Sequence, residues 1–217
     1  MQARTRLAIE FALLFIAAPV LMRIAMFDFG VPLFWALGPV LGVFAALAAF
    51  DKTFNVRESL LAPMPSGTVR SIAILFAVGV PVVLAAVWMF LPDQLFNLPR
   101  ERTKLWLKMI VLYPFTSVLA QEFIYRVFFF HRYARLFSRP EVMIATSALV
   151  FALSHVIFRN HIAVLLSLVG GALFAWRYWR TRSFCAVWIE HTLWGWLLFT
   201  CGLGVYFFAN SKNPAWG

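Results

Sequence analysis

Residues 71–91 read SIAILFAVGVPVVLAAVWMFL, twenty-one residues without a charged side chain. A helix that crosses the hydrocarbon core of a bilayer needs about 20 predominantly apolar residues, so this stretch is long enough to span a membrane. The rest of the chain has the same character, because 63% of its 217 residues are hydrophobic and only 13% are charged. The stretch therefore predicts an integral membrane protein.

Apolar runs of similar length recur on both sides of this stretch, and they predict an all-α fold, a polytopic membrane helix bundle of about seven transmembrane helices. The longest connections, Asp51–Arg70 and Pro92–Lys104, are polar and contain prolines, as loops do. No internal repeat is visible, so residues 1–217 are predicted to form a single membrane domain. The predicted runs are Leu7–Met26, Val31–Phe50, Ser71–Leu91, Leu105–Phe130, Val142–Phe158, Ile162–Tyr178 and Phe184–Phe208.

The basic residues lie in short clusters between the apolar runs, which explains the net charge of +10. They do not form one continuous face, so the pattern argues against a nucleic-acid partner and indicates topology determinants beside the lipid bilayer. Basic loops are retained in the cytoplasm, which predicts a cytoplasmic N-terminus. One set of loops carries Arg4, Arg6, Lys52, Arg57, Arg70, Arg132, Arg135, Arg139, Arg177, Arg180 and Arg182, and the other carries Arg100, Arg102, Lys104, Arg159 and Lys212.

A few ionisable residues fall inside the apolar runs, where a charge costs on the order of 3 kcal/mol or more. Glu122 and Arg126 are spaced i and i+4, on one helical face, and can form an ion pair. His155 lies in the next run, and His191 follows Glu190 in the last. Each has a structural interpretation, as an ion pair or a packed histidine. Their convergence from three predicted helices favours a shared polar cavity.

These residues occur in motifs that resemble those of the CPBP family, which comprises CAAX proteases and bacteriocin-processing intramembrane enzymes. The family pattern is Glu-Glu-x-x-x-Arg on one helix, Phe-x-x-x-His on the next and a later His-x-x-x-Asn. Here the corresponding stretches are Gln121–Arg126, Phe151–His155 and His191–Gly195. The resemblance covers residues 105–208, the helical core of the family.

Two positions depart from the family pattern, since Gln121 replaces the first Glu and Gly195 replaces the Asn. Glutamine cannot accept a proton from water. Either Glu122 is the base in a bacterial branch whose motif begins Gln-Glu, or the protein is a non-catalytic relative, or a natural Glu was replaced to trap the enzyme. We favour the first. Neighbouring helical positions point about 100° apart, so this requires a rotation of the helix.

The resemblance implies a glutamic-type intramembrane endopeptidase of the bacterial inner (plasma) membrane that cleaves a membrane-anchored polypeptide. Glu122, helped by His155, would activate a water, and His191 would donate to the developing oxyanion. The supporting residues would be Arg126, Gln121 and Asn160, the last of which either caps the sixth helix or lines the cavity mouth. No cofactor is implied.

Three alternatives stay open. Two histidines and a carboxylate are an acceptable zinc set, although the His-Glu-x-x-His pattern of many zinc proteases is absent from the sequence. A non-catalytic peptide-binding or immunity-type membrane protein of the same family would explain Gln121 and Gly195. A proton-coupled transporter is disfavoured, because many transporters are built from internal repeats.

Overall fold

The computed structural model describes residues 2–207, which leaves Phe208, the predicted end of the last run, and Lys212 outside the described part. It is 86% helical, and residues 2–207 contain no strand. Helix α1 covers 2–27 and includes a π-helical turn at Leu13–Ala17. The other long helices are α2 (Leu33–Phe50), α3 (Thr68–Phe90), α4 (Thr103–Arg132), α5 (Pro140–Ser154), α6 (His161–Thr181) and α7 (Phe184–Cys201).

Each predicted apolar run falls on one of these helices, so the prediction of an all-α membrane helix bundle is confirmed. Five helices are long and apolar enough to cross a membrane, namely α1, α3, α4, α6 and α5 with its following turn. Helix α2 has only a shorter apolar part, Trp35–Phe50. Helix α7 carries Glu190 and His191 near its middle, which reduces its hydropathy. The predicted number of seven spans is therefore not confirmed.

Helix α7 ends earlier than the predicted run, at Cys201. Gly202 follows with φ +113°, a backbone conformation that L side chains rarely adopt. A Cβ at this position would also collide with the backbone carbonyl of Gln94. The chain then turns into a short 3₁₀ helix, Leu203–Phe207, because the glycine allows a close approach that a continuing helix would prevent.

The two long loops each contain a short helix, Val56–Leu61 and Asn97–Glu101. The first loop begins at Asp51, next to Arg132 at the end of α4. Burial raises the pKa of Asp51, but hydrogen bonds from Thr53 and Arg132 outweigh it and lower that pKa to about 2. Arg132 also forms a bidentate pair with Glu10 of α1, at 2.8 Å for each bond. These charges hold the ends of α1, α2 and α4 together.

An aromatic cluster continues this packing into the bundle, with Phe15 of α1 at its centre. Its ring lies 5.3 Å from that of Phe44 on α2, and 5.5 to 5.6 Å from those of Tyr125, Phe129 and Tyr133. Edge-to-face contacts at this separation are the preferred geometry for aromatic pairs. The cluster therefore holds α4, the helix that carries Glu122, against α1 and α2.

A buried ion pair joins α6 to α7. Arg177 donates two hydrogen bonds to the Glu190 carboxylate, at 2.9 and 2.8 Å, and a third at 3.1 Å to the Ser71 hydroxyl of α3. Both charged side chains are buried, so each needs the other as its counter-ion. The pair fixes α7 relative to α6 and α3. Glu190 is therefore bound in a structural contact next to His191.

We predict that Glu190→Gln lowers the free energy of unfolding by about 3 kcal/mol, because Arg177 would stay buried without a counter-ion. The measurement is unfolding of the purified protein in detergent, with the exposed Glu141→Gln as the control. The double variant Arg177→Met/Glu190→Leu should recover most of the loss. Equal free energies of unfolding for Glu190→Gln and Glu141→Gln would contradict a stabilising role for the Arg177–Glu190 pair.

Candidate active site

The position of Glu122 depends on irregularities in α4. Two π-helical turns, Pro114–Val118 and Phe123–Phe128, flank the short α-helical segment Leu119–Glu122. A π-helical turn adds a residue to the helix and changes the facing of all side chains that follow it, by roughly the 100° that separates neighbouring residues. The first π turn precedes Glu122 and therefore changes the direction of its side chain relative to the residues before Pro114.

The Glu122 carboxylate is completely buried between two basic groups. Its Oε2 atom lies 3.3 Å from Nε of Arg126, which is the predicted i, i+4 ion pair. Its Oε1 atom lies 2.7 Å from Nδ1 of His191 on α7. A short hydrogen bond between a buried carboxylate and an imidazole is charge-assisted and fixes the orientation of the ring. Two of the three predicted catalytic residues are thus in direct contact.

Arg126 is anchored on its other side by Ser147 of α5. The guanidinium donates to the Ser147 hydroxyl at 2.8 Å, and that hydroxyl donates at 2.8 Å to the Tyr125 carbonyl. The Arg126 guanidinium carbon also lies 4.9 Å from the ring centre of Phe151. The sequence analysis missed Ser147, because a serine inside an apolar run carries no specific signal.

His155 begins the 3₁₀ turn that follows α5, and it belongs to the same site through Phe151. The Phe151 ring lies 4.7 Å from the His155 ring and 5.7 Å from the His191 ring. Nδ1 of His155 lies 2.8 Å from the Phe151 carbonyl, an acceptor that favours the proton on Nδ1. Within residues 2–207, Nε2 of His155 has no hydrogen-bond partner in the structure, so it is the nitrogen left to accept a proton.

Tyr113 is a further member of the site that the sequence analysis missed. Its hydroxyl lies 2.9 Å from Nε2 of His191, on the side of the ring opposite to Glu122. The only hint in the sequence was a tyrosine before Pro114 within an apolar run, which is a weak signal. The ring of Phe174 stacks on His191 at 4.5 Å. His191 is thereby held at both nitrogens and on one ring face.

The other two predicted supporting residues have different surroundings. Gln121 donates at 2.8 Å to the Ser117 hydroxyl one turn earlier on α4, and its side-chain oxygen is buried without a hydrogen bond. Asn160 caps α6, where its side-chain oxygen accepts from the Ala163 amide at 2.7 Å. Its amide nitrogen donates at 2.8 Å to the Tyr206 carbonyl. Of the two roles considered for Asn160, capping is the one that the structure provides.

A cavity of about 300 Å³ adjoins the site. Its apolar wall includes Phe199 and Phe207, and its polar lining includes Asn97, Glu101 and Arg102. Phe207 contacts the His155 ring at 6.0 Å, and Phe199 contacts the Tyr113 ring at 5.1 Å. An apolar space with polar groups on one side suits part of a membrane-inserted ligand. Among residues 2–207, no three His, Cys, Asp or Glu side chains are placed to hold a metal ion.

A family model named "Type II CAAX prenyl endopeptidase Rce1-like" matches residues 102–197. This segment of the chain is similar to that family. It contains Tyr113, Glu122, Arg126, His155 and His191, while α1 and α2 lie outside it. No curated protein and no solved structure matches the chain.

The family is a protease family, and the similarity to it supports a peptidase that works in the membrane. The matched CAAX-endopeptidase region begins just before α4 and ends within α7. It overlaps residues 105–197 of the helical core predicted at 105–208. Every hydrogen bond around Glu122 and His191 described above therefore lies within the matched region.

We predict that Ser147→Ala lowers the free energy of unfolding by about 1 to 2 kcal/mol, because it removes two buried hydrogen bonds and leaves only the 3.0 Å bond from Arg126 to the Tyr125 carbonyl. Unfolding in detergent measures this, and Ser138→Ala, an exposed serine between α4 and α5, is the matched control. If both alanine variants unfold like the wild type, Ser147 does not anchor Arg126.

Proposed function

We propose that this protein is an intramembrane endopeptidase that hydrolyses a peptide bond of a membrane-anchored polypeptide and whose activity depends on the buried carboxylate of Glu122. The observation that carries the proposal is the buried 2.7 Å hydrogen bond between Glu122 and His191, next to a second imidazole, His155. Similarity to the family supports the peptidase class, and this geometry supports the assignment of roles. The mechanism is proposed to need no metal ion.

His155 is the group proposed to activate water. Its Nδ1 proton is directed to the Phe151 carbonyl, which leaves the Nε2 lone pair as the base. In the first step, the water oxygen bonds to the scissile carbonyl carbon while Nε2 takes a water proton. In the second step, the C–N bond breaks and Nε2 returns that proton to the leaving amine nitrogen.

Glu122 is proposed to act through His191. Both carboxylate oxygens face basic groups, and the side chain has no exposed surface, so a water bound directly to Glu122 would have to displace Arg126 or His191. The carboxylate orients the His191 ring through its 2.7 Å hydrogen bond and balances positive charge that develops on the ring during the reaction. Imidazolium charge beside the scissile carbonyl would stabilise the oxyanion of the tetrahedral intermediate.

The substrate is proposed to enter from the membrane through the cavity beside Phe199 and Phe207. The apolar wall suits a lipid-like or apolar segment, and the polar groups suit the peptide backbone near the cleavage point. Both a prenylated C-terminal tail and a C-terminal sorting helix meet these requirements. The proposed location is the bacterial inner membrane, with the N-terminus in the cytoplasm.

We predict that Glu122→Gln reduces kcat by about 100-fold or more, because glutamine keeps the shape of the side chain but cannot stabilise an imidazolium. Cleavage is measured with purified protein in detergent on two peptides, one prenylated and one joined to a transmembrane segment. Glu141→Gln, at the start of α5, serves as the control and should cleave like the wild type. An active Glu122→Gln variant that retains wild-type kcat would refute the proposed role of Glu122.

A non-catalytic peptide-binding protein is the second candidate, and the observation in its favour is Gln121 in place of the family's Glu. Gln121 contacts Ser117 rather than the histidines, so we expect the wild type to cleave and Gln121→Glu to bring no gain above a few-fold. The same cleavage assay compares the two proteins. An inactive wild type together with an active Gln121→Glu variant would support the non-catalytic candidate.

A further inference from the structure

A side chain at position 195 and the side chain of Tyr113 could not occupy their space together. A Cβ built on Gly195 would lie 2.7 Å from both the ring carbon Cζ and the hydroxyl oxygen of Tyr113, and it would collide with the neighbouring ring carbon Cε1. Contacts this short between non-bonded atoms do not occur, so any side chain at 195 must displace the tyrosine. The glycine is therefore what allows the Tyr113 hydroxyl to reach His191.

The Tyr113 hydroxyl is as close to the Cβ position of residue 195 as the amide of an asparagine at 195 would be. An amide nitrogen of asparagine is about 2.5 Å from its own Cβ by covalent geometry. The Tyr113 oxygen lies 2.7 Å from the Cβ position, at nearly the same distance. Phenol and amide are both hydrogen-bond donors. The departure from the family motif at Gly195 is thus matched by a donor that comes from another helix.

Tyr113 contacts both the imidazole of His191 and a residue of the cavity wall. The oxygen is 2.9 Å from Nε2 of His191, and the tyrosine ring packs edge-on against Phe199 of the cavity wall. When His191 is protonated, its Nε2–H donates to the tyrosine oxygen. The hydroxyl hydrogen is then free to point at a substrate carbonyl.

We propose that Tyr113 is a catalytic residue of this site, and that its hydroxyl donates to the oxyanion in place of the side chain that Gly195 lacks. This inference rests on the proposed endopeptidase function. Glu122, His191 and Tyr113 would form a chain of hydrogen bonds in this order, so that the imidazolium makes the tyrosine hydroxyl a stronger donor. The hydroxyl does not transfer its proton, and no bond to it forms or breaks.

The test begins with Tyr113→Phe, which removes one oxygen and keeps the ring. The expected result is a fall in kcat of about 100-fold with KM changed less than threefold, because oxyanion donors act mainly in the transition state. A merely structural role would alter unfolding in detergent and would not separate kcat from KM. An unchanged kcat in Tyr113→Phe overturns the inference.

A rescue experiment tests whether a donor at position 195 can replace the Tyr113 hydroxyl. Gly195→Asn alone should lower kcat, because the amide displaces Tyr113, whereas Tyr113→Ala/Gly195→Asn should be at least tenfold faster than Tyr113→Ala. The control Tyr113→Ala/Gly195→Leu fills similar volume without a donor and should give no rescue. Equal kcat values for the Asn and Leu double variants would refute the claim that a donor at position 195 can replace the Tyr113 hydroxyl.

The activity of the wild type distinguishes a failure of the endopeptidase proposal from a failure of the inference about Tyr113. If it cleaves neither the prenylated peptide nor the peptide with a transmembrane segment, the endopeptidase function is refuted and the oxyanion role of Tyr113 with it. If it cleaves and Tyr113→Phe cleaves equally fast, only the inference about Tyr113 is refuted.

Discussion

A carboxylate that is enclosed by protein stays charged only when neighbouring groups replace the water that it has lost, and the site of this protein depends on that constraint at Glu122. Arg126 supplies an opposite charge from the same helix, and His191 supplies a hydrogen bond from α7. Removal of either partner would leave a buried charge that the remaining one balances incompletely. The same carboxylate therefore joins α4 to α7 and orients the imidazole.

The surroundings of this group strengthen its interactions. Phe151 packs against His155, and Phe174 stacks on His191. Because these rings have low polarity, the electrostatic interactions of the buried groups beside them are stronger than they would be in water. Ser147 holds Arg126 from α5, so the cation does not depend on Glu122 alone. The second buried pair, Arg177 with Glu190, fixes α7 one residue away from His191. The charges around Glu122 are thus separate from the Arg177–Glu190 pair.

Chain irregularities place the groups that regular helices would not bring together. The π turn Pro114–Val118 changes the direction of Glu122 relative to the residues before it, and such turns are frequent at functional sites. The 3₁₀ turn after α5 begins at His155 and leaves Nδ1 directed to the Phe151 carbonyl. At Gly195, the missing side chain admits Tyr113. The proposed chemistry therefore depends on departures from regular geometry at three points.

The sequence by itself determined the features that depend on neighbours along the chain. Apolar runs such as Ser71–Leu91 identified a membrane helix bundle, and i, i+4 spacing predicted the pairing of Glu122 with Arg126. The motifs also identified the family whose model matches residues 102–197.

Only the tertiary structure decided which carboxylate meets which base. Glu122 and His191 are 69 positions apart, and Tyr113 and His191 are 78 apart, so these contacts depend on the packing angles and side-chain rotamers of separate helices. Hydropathy and spacing do not encode those quantities. For the same reason the sequence could not show that Glu190 belongs to Arg177, that α7 stops at Gly202, or that Gly195 leaves room for a tyrosine.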